Sequence, residues 1–82
     1  MFLLANELFK KADYYGASSL YTKLLELDPE NKNFNATILA NRALCNQKTN
    51  RTMDAMKDLN QSLELNPFYA KVFINNIIIK LN

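Results

Sequence analysis

Histidine and tryptophan are missing from this 82-residue chain, and one glycine, two prolines and one cysteine are all it has of three other scarce types. Each scarcity excludes something. Without histidine the commonest general base and metal ligand is gone. The lone Cys45 cannot close an internal disulfide, and with no histidine to join it there is no metal site. A single glycine supplies no phosphate-cradling loop, no nucleophile elbow occurs, and the acidic residues read as lying on solvent faces. No catalytic activity, cofactor or metal is expected. So few turn-forming residues also leave little punctuation for β-hairpins, which points to helix.

Charge and long apolar runs are scarce too. The net charge is +2, and no basic cluster exceeds Lys10-Lys11, which argues against a nucleic-acid partner. Ile77-Ile78-Ile79 is far short of the roughly 20 apolar residues that a membrane span needs. Met1 to Ala5 carries no basic stretch and no apolar core of a signal peptide. The expected location is the cytoplasm, with the nucleus as the alternative. The length allows one domain.

What the chain does have is repetition. Ala5 recurs as Ala43, Lys10 as Lys48 and Ala17 as Ala55, each 38 residues on; Leu25-Glu26-Leu27-Asp28-Pro29 returns as Leu63-Glu64-Leu65-Asn66-Pro67. Ala17, Leu20, Tyr21, Leu24 and Leu25 form one buried helical stripe, closed by Pro29, which lacks the N–H needed to continue. The second copy, Ala55, Leu59, Ser62 and Leu63, is a weaker stripe with Ser62 in the place of Leu24. Ahead of each lies another apolar face, and Ala70, Phe73, Ile74, Ile77, Ile78 and Leu81 open a third unit. The spacing predicts five helices, at about 1–12, 16–28, 34–49, 52–66 and 68–82, with short connections that make neighbours antiparallel. This is an all-α helical-hairpin solenoid: one domain, with repeats at about 1–31 and 34–67 and a partial third at 68–82.

The order of small, large, small, aromatic and proline in Ala5, Leu8, Ala17, Tyr21 and Pro29 resembles a tetratricopeptide repeat (TPR). Asn6 to Tyr14 is similar to the opening of that repeat, with Ala5 and Ala12 in place of its two glycines. The ordinary repeat has 34 residues, so four are extra, about one helical turn. They fall at Asn31 to Asn35, and the third helix is expected to begin a turn early. That extra turn, with Asn41-Arg42-Ala43-Leu44 and Asn46, resembles the second TPR cluster of the J-domain-bearing TPR co-chaperones, although the His-Pro-Asp of a J domain does not occur here.

The resemblance implies a protein-binding groove. Chaperone-binding members hold a C-terminal carboxylate of an Hsp70 or Hsp90 tail with two asparagines, two lysines and an arginine, since amide and cationic donors satisfy its oxygens together. Carried onto this chain, the clamp-like residues are Asn6, Asn41 and Lys71, with Lys48 in a supporting place. Phe2 stands at the first lysine and Asn75 at the arginine. Two lost charge-assisted bonds, at about 1.5–3 kcal/mol each, weaken carboxylate binding by roughly 3–6 kcal/mol. Phe9, Lys10 and Leu44 are the further groove candidates, with Phe9, Leu44 and Ile78 aligned on the expected concave face. Asn6 and Asn41 could equally cap or bridge helices, while Tyr14, Tyr15 and Tyr21 read as packing residues between repeats.

Two functions follow from these residues. One is a co-chaperone-type module that takes a partner peptide in its groove, with the Hsp70/Hsp90 C-terminus as the candidate ligand. The other is a scaffold repeat with a decayed clamp that accepts a partner's helix. In either case the helix at 68–82 is apolar around much of its circumference, so self-association, a partner or a longer array is expected there.

Overall fold

A computed structural model describes residues 1–68, and within them the chain forms four helices: α1 (Phe2–Lys10), α2 (Tyr14–Leu27), α3 (Lys32–Lys48) and α4 (Thr52–Leu65). The expected fifth helix, with Lys71, Asn75 and Ile78, lies outside the described residues. Connections of three, four and three residues make each helix turn back on the last. Each packs on its neighbour in turn, α1 on α2, α2 on α3 and α3 on α4. No helix among the described residues is long and apolar enough to cross a membrane.

Local chemistry sets the boundaries. α1 and α3 end alike, 38 residues apart. Ala12 and Asn50 take left-handed backbone, with φ of 65° and 62°. Behind them Asp13 N–H donates to the Leu8 carbonyl at 2.8 Å and Arg51 N–H to the Asn46 carbonyl at 2.7 Å. These bonds satisfy carbonyls that the helix end would otherwise leave orphaned. α2 starts two residues before the expected position 16, because Asp13 Oδ1 accepts the Gly16 N–H at 3.0 Å and caps the helix. A Cβ on Gly16 would lie 2.4 Å from the Asp13 carboxylate, so the glycine makes room for that cap.

α3 starts at Lys32, ahead of the expected 34, with Asn31 Oδ1 accepting from Phe34 N–H at 3.3 Å. Its additional turn has a job in the fold. Asn35, buried on that turn, donates from Nδ2 to the Asp28 carbonyl at 2.8 Å and ties the end of α2 to the start of α3.

The core lies in two clusters. Ala5, Ala17, Tyr21, Leu24, Ile38 and Cys45 join α1, α2 and α3, and Ala43, Ala55 and Leu59 join α3 and α4. The four repeated alanines are all buried, where a methyl group allows the helices to approach.

Two residues depart from their expected places, and a third keeps its place by other means. Asp58 is not on a solvent face: it is 5% exposed and grips Arg42 through two bonds, at 2.7 and 2.8 Å, while Asn46 Nδ2 donates to it at 3.0 Å. A buried carboxylate persists only when its oxygens are met in this way. Tyr15 does not pack inside but is 60% exposed, with the Arg51 guanidinium 5.1 Å from its ring centroid. Ser62 sits in its stripe as expected. It is fully buried and donates to the Ala36 carbonyl at 2.7 Å, so the hydroxyl replaces apolar volume with a backbone bond.

Candidate functional site

Asn6 and Asn41 line one groove. It has a volume of about 410 Å³, and Leu3, Glu7, Phe9, Lys10, Tyr21 and Leu44 complete its lining. α1 contributes the residues from Leu3 to Lys10, α3 contributes Asn41 and Leu44, and Tyr21 of α2 forms the floor between them. The 38-residue repeat accounts for the pattern: Asn41 is the counterpart of Leu3, and Leu44 the counterpart of Asn6.

Tyr21 anchors Asn6. Its side chain is buried, and its hydroxyl donates to Asn6 Oδ1 at 2.5 Å. Asn41 lines the same groove and acts on the phenol in the sense that favours its ionised form. Burial and the neighbouring Cys45 outweigh that effect and push the Tyr21 pKa up to about 12. The phenol is therefore neutral at physiological pH and keeps its proton as a donor. Asn6 thus bridges α1 to α2 and still reaches the groove.

Most of the residues singled out from the sequence meet here. Asn6, Asn41, Phe9, Lys10 and Leu44 share the groove. Phe9 is held by Tyr14, edge to face at 5.3 Å between ring centroids. Lys48 is exposed near the end of α3, outside that lining. Lys71 and Asn75 lie outside the described residues. Phe2 faces elsewhere: it meets Phe34 edge to face at 5.7 Å and packs against the first core cluster. Where the resemblance implies a clamp lysine, this chain has a contact between α1 and α3.

Leu3, Glu7 and Tyr21 were not predicted as groove residues. Leu3 was detectable as the 38-residue counterpart of Asn41, and Tyr21 as a core tyrosine whose hydroxyl needs a partner. Glu7 gave no signal beyond lying one helical turn before Lys10, with which it gives the groove one charge of each sign. The lining is otherwise neutral: two amides, the Tyr21 phenol, and the apolar side chains of Leu3, Phe9 and Leu44.

Comparison with known proteins agrees with the helical-hairpin fold. Residues 1–31 match the family model of the tetratricopeptide repeat. The chain is 35% identical over 69 residues to DnaJ homolog subfamily C member 7 of Homo sapiens, covering 84% of this chain and 14% of that protein. It is 32% identical over 68 residues to the Hsp70/Hsp90 co-chaperone CNS1 of Saccharomyces cerevisiae, covering 83% and 18% respectively. It is 33% identical over 66 residues to Hsp70-Hsp90 organizing protein 1 of Glycine max, covering 80% and 11%. The chain therefore spans less than a fifth of the length of these relatives. No solved structure matches it. Helical hairpins, repeat spacing and family match together define a tetratricopeptide-repeat chain. It is similar to part of each of these co-chaperone relatives and belongs with protein-interaction modules.

Proposed function

We propose that this chain holds an extended segment of a partner protein in the Asn6–Asn41 groove, and that the segment is the C-terminal tail of an Hsp70/Hsp90 chaperone. The observation that carries the reading is that Asn6, held by the Tyr21 hydroxyl, and Asn41 line one groove with Lys10, Phe9 and Leu44. Hydrogen-bonding amides above an apolar wall suit an extended peptide, whose main chain is polar and whose alternate side chains are not. The relatives' names supply the ligand class, since two of them are an Hsp70/Hsp90 co-chaperone and an Hsp70-Hsp90 organizing protein. The cytoplasm, expected from the sequence, is where such a partner would be met.

The test is an NMR titration of the 15N-labelled chain with a ten-residue C-terminal peptide of an Hsp90. The side-chain amides of Asn6 and Asn41 should shift together, and Asn41→Ala should weaken binding about tenfold. Shifts that map away from this groove, or none at millimolar peptide, would end the proposal.

The packing of Phe2 against Phe34, where a cation would favour an acidic tail, supports a second reading. In it the apolar walls receive a partner's helix, and a bound peptide would gain helical circular dichroism instead of remaining extended.

A further inference from the structure

The repeat contains its own control for one polar contact. Asn6 and Tyr21 of the first hairpin correspond to Leu44 and Leu59 of the second, 38 residues on. Leu59 is buried beside Ala43 and Ala55, and Leu44 packs against that cluster. The same place in the hairpin is thus filled by two leucines in one copy and by a bonded phenol and amide in the other. A buried hydroxyl needs a partner and a leucine does not, so the polar pair is the costlier way to fill the space. Helix packing does not call for it.

What the pair does is fix the orientation of Asn6. The Tyr21 phenol, 1% exposed, donates its one proton to Asn6 Oδ1 at 2.5 Å. That bond decides which end of the amide is tied to α2. Asn6 Nδ2 makes no hydrogen bond among the described residues and is not one of their buried unpartnered atoms, so its N–H groups are open at the groove. An amide free to turn offers either an oxygen or a nitrogen. This one offers donors alone.

Resting on the peptide-binding reading above, we propose that Tyr21 is a positioning residue for ligand recognition: by holding Asn6 Oδ1 it makes Asn6 a dedicated donor, and the groove selects an acceptor oxygen of the partner segment at that place. A main-chain carbonyl and a terminal carboxylate both supply such an oxygen. A ligand N–H at that place would meet the N–H groups of Asn6 and be rejected. Tyr21, buried at the floor, acts through Asn6.

The test is calorimetric titration of the intact 82-residue chain and its variants with one Hsp90 tail peptide, made as the free acid and as the C-terminal amide. Asn6→Asp keeps an acceptor for the Tyr21 proton and puts oxygen where the N–H groups were. At high salt, where charge repulsion is screened, it should weaken binding about tenfold. Binding as tight as the parent's, or tighter, would overturn the inference and leave the peptide-binding reading intact. A penalty confined to the free acid identifies the terminal carboxylate as the acceptor; an equal penalty for the amide identifies a main-chain carbonyl, and either supports the inference. Tyr21→Phe should weaken binding about three- to fivefold when Asn6 is present, and by less than about twofold in an Asn6→Ala background. Equal losses in the two backgrounds would mean that Tyr21 serves the packing alone, and the inference would fall. Asn6→Leu with Tyr21→Leu copies the second hairpin and should keep the helical circular dichroism of the parent while losing the peptide. Loss of helix in that variant would show that the pair serves the fold, which also overturns the inference. If neither peptide form binds the parent, both readings fall.

Discussion

Arg42 and Asp58 hold the second hairpin together through two hydrogen bonds of 2.7 and 2.8 Å, at the positions that Leu4 and Leu20 occupy in the first. Asn46, which joins them at 3.0 Å, stands at the counterpart of Leu8. The first hairpin has leucines at all three places, Leu8 and Leu20 packed against its core and Leu4 half-exposed, where its copy has an ion pair and an amide. Arg42 also donates from Nη1 to Thr22 Oγ1 at 3.1 Å, so the same guanidinium ties α3 to both α2 and α4.

Removing one member of that polar group should cost more than replacing it whole. Asp58→Ala leaves the Arg42 charge and the Asn46 amide without their partner. Breaking a buried pair costs about 3–5 kcal/mol, and with the Arg42 side chain 22% exposed the expected loss is nearer 2–3 kcal/mol. Arg42→Leu, Asn46→Leu and Asp58→Leu together copy the first hairpin and should return to within about 1.5 kcal/mol of the parent. Urea unfolding of the two variants checks the order, and a triple variant less stable than Asp58→Ala would refute it.

Ala12 offers the opposite result, a gain. It holds φ at 65°, in the region where a Cβ costs about 1–2 kcal/mol, whereas its counterpart Asn50 tolerates the same backbone through its short polar side chain. Ala12→Gly should raise stability by about 0.5–1 kcal/mol after the extra unfolded-state entropy of glycine is deducted. Thermal unfolding of the variant should show a higher midpoint, and a lower one would mean the helix end is not under this strain.

How far the sequence could be read depended on what each signal reported. Apolar spacing located all four described helices, because a 3.6-residue period reflects burial directly. Caps moved the boundaries: Asp13 and Asn31 start their helices earlier than apolar residues alone suggest. Periodicity failed where a charged side chain was buried with its partner, as at Asp58. Such a residue looks solvent-facing until the helix that supplies Arg42 is in place. Asn6 and Asn41 were visible through resemblance, but the attachment of Asn6 to Tyr21 was not, since it depends on a contact across 15 residues.

Alkali should unfold the chain in two stages. Burial pushes the Cys45 thiol from 9.0 up to about 11, opposed in part by a backbone hydrogen bond and reinforced by Asp58; Tyr21 rises from 10.0 to about 12. Above pH 9 the unfolded thiol releases its proton while the folded one keeps it, so stability is intact below 9 and lost as pH climbs toward 11. Tyr21 adds a second loss between 10 and 12. At about 1.36 kcal/mol per unit, the Cys45 stage amounts to roughly 2–3 kcal/mol. Urea midpoints taken from pH 8 to 11 should fall, and in Cys45→Ala the fall should begin about one unit later. A profile that is flat to pH 11 would contradict the burial of both groups.

Phe2→Lys pits stability against charge. The substitution removes the edge-to-face contact with Phe34, a loss of about 0.5–1.5 kcal/mol beyond the apolar area exposed, so unfolding should come about 1–2 kcal/mol earlier. In return it places a cation where the family resemblance puts a clamp lysine. A solvent-accessible charge-assisted bond is worth about 1.5 kcal/mol, close to tenfold in affinity. The variant should therefore bind the free-acid tail peptide up to tenfold more tightly than the parent, with a smaller gain for the amide, and the difference should shrink in high salt. Equal gains for acid and amide would show that the lysine acts through something other than the terminal carboxylate. No gain for either would place position 2 outside the reach of any ligand in the groove, and its phenylalanine would then be a packing residue alone.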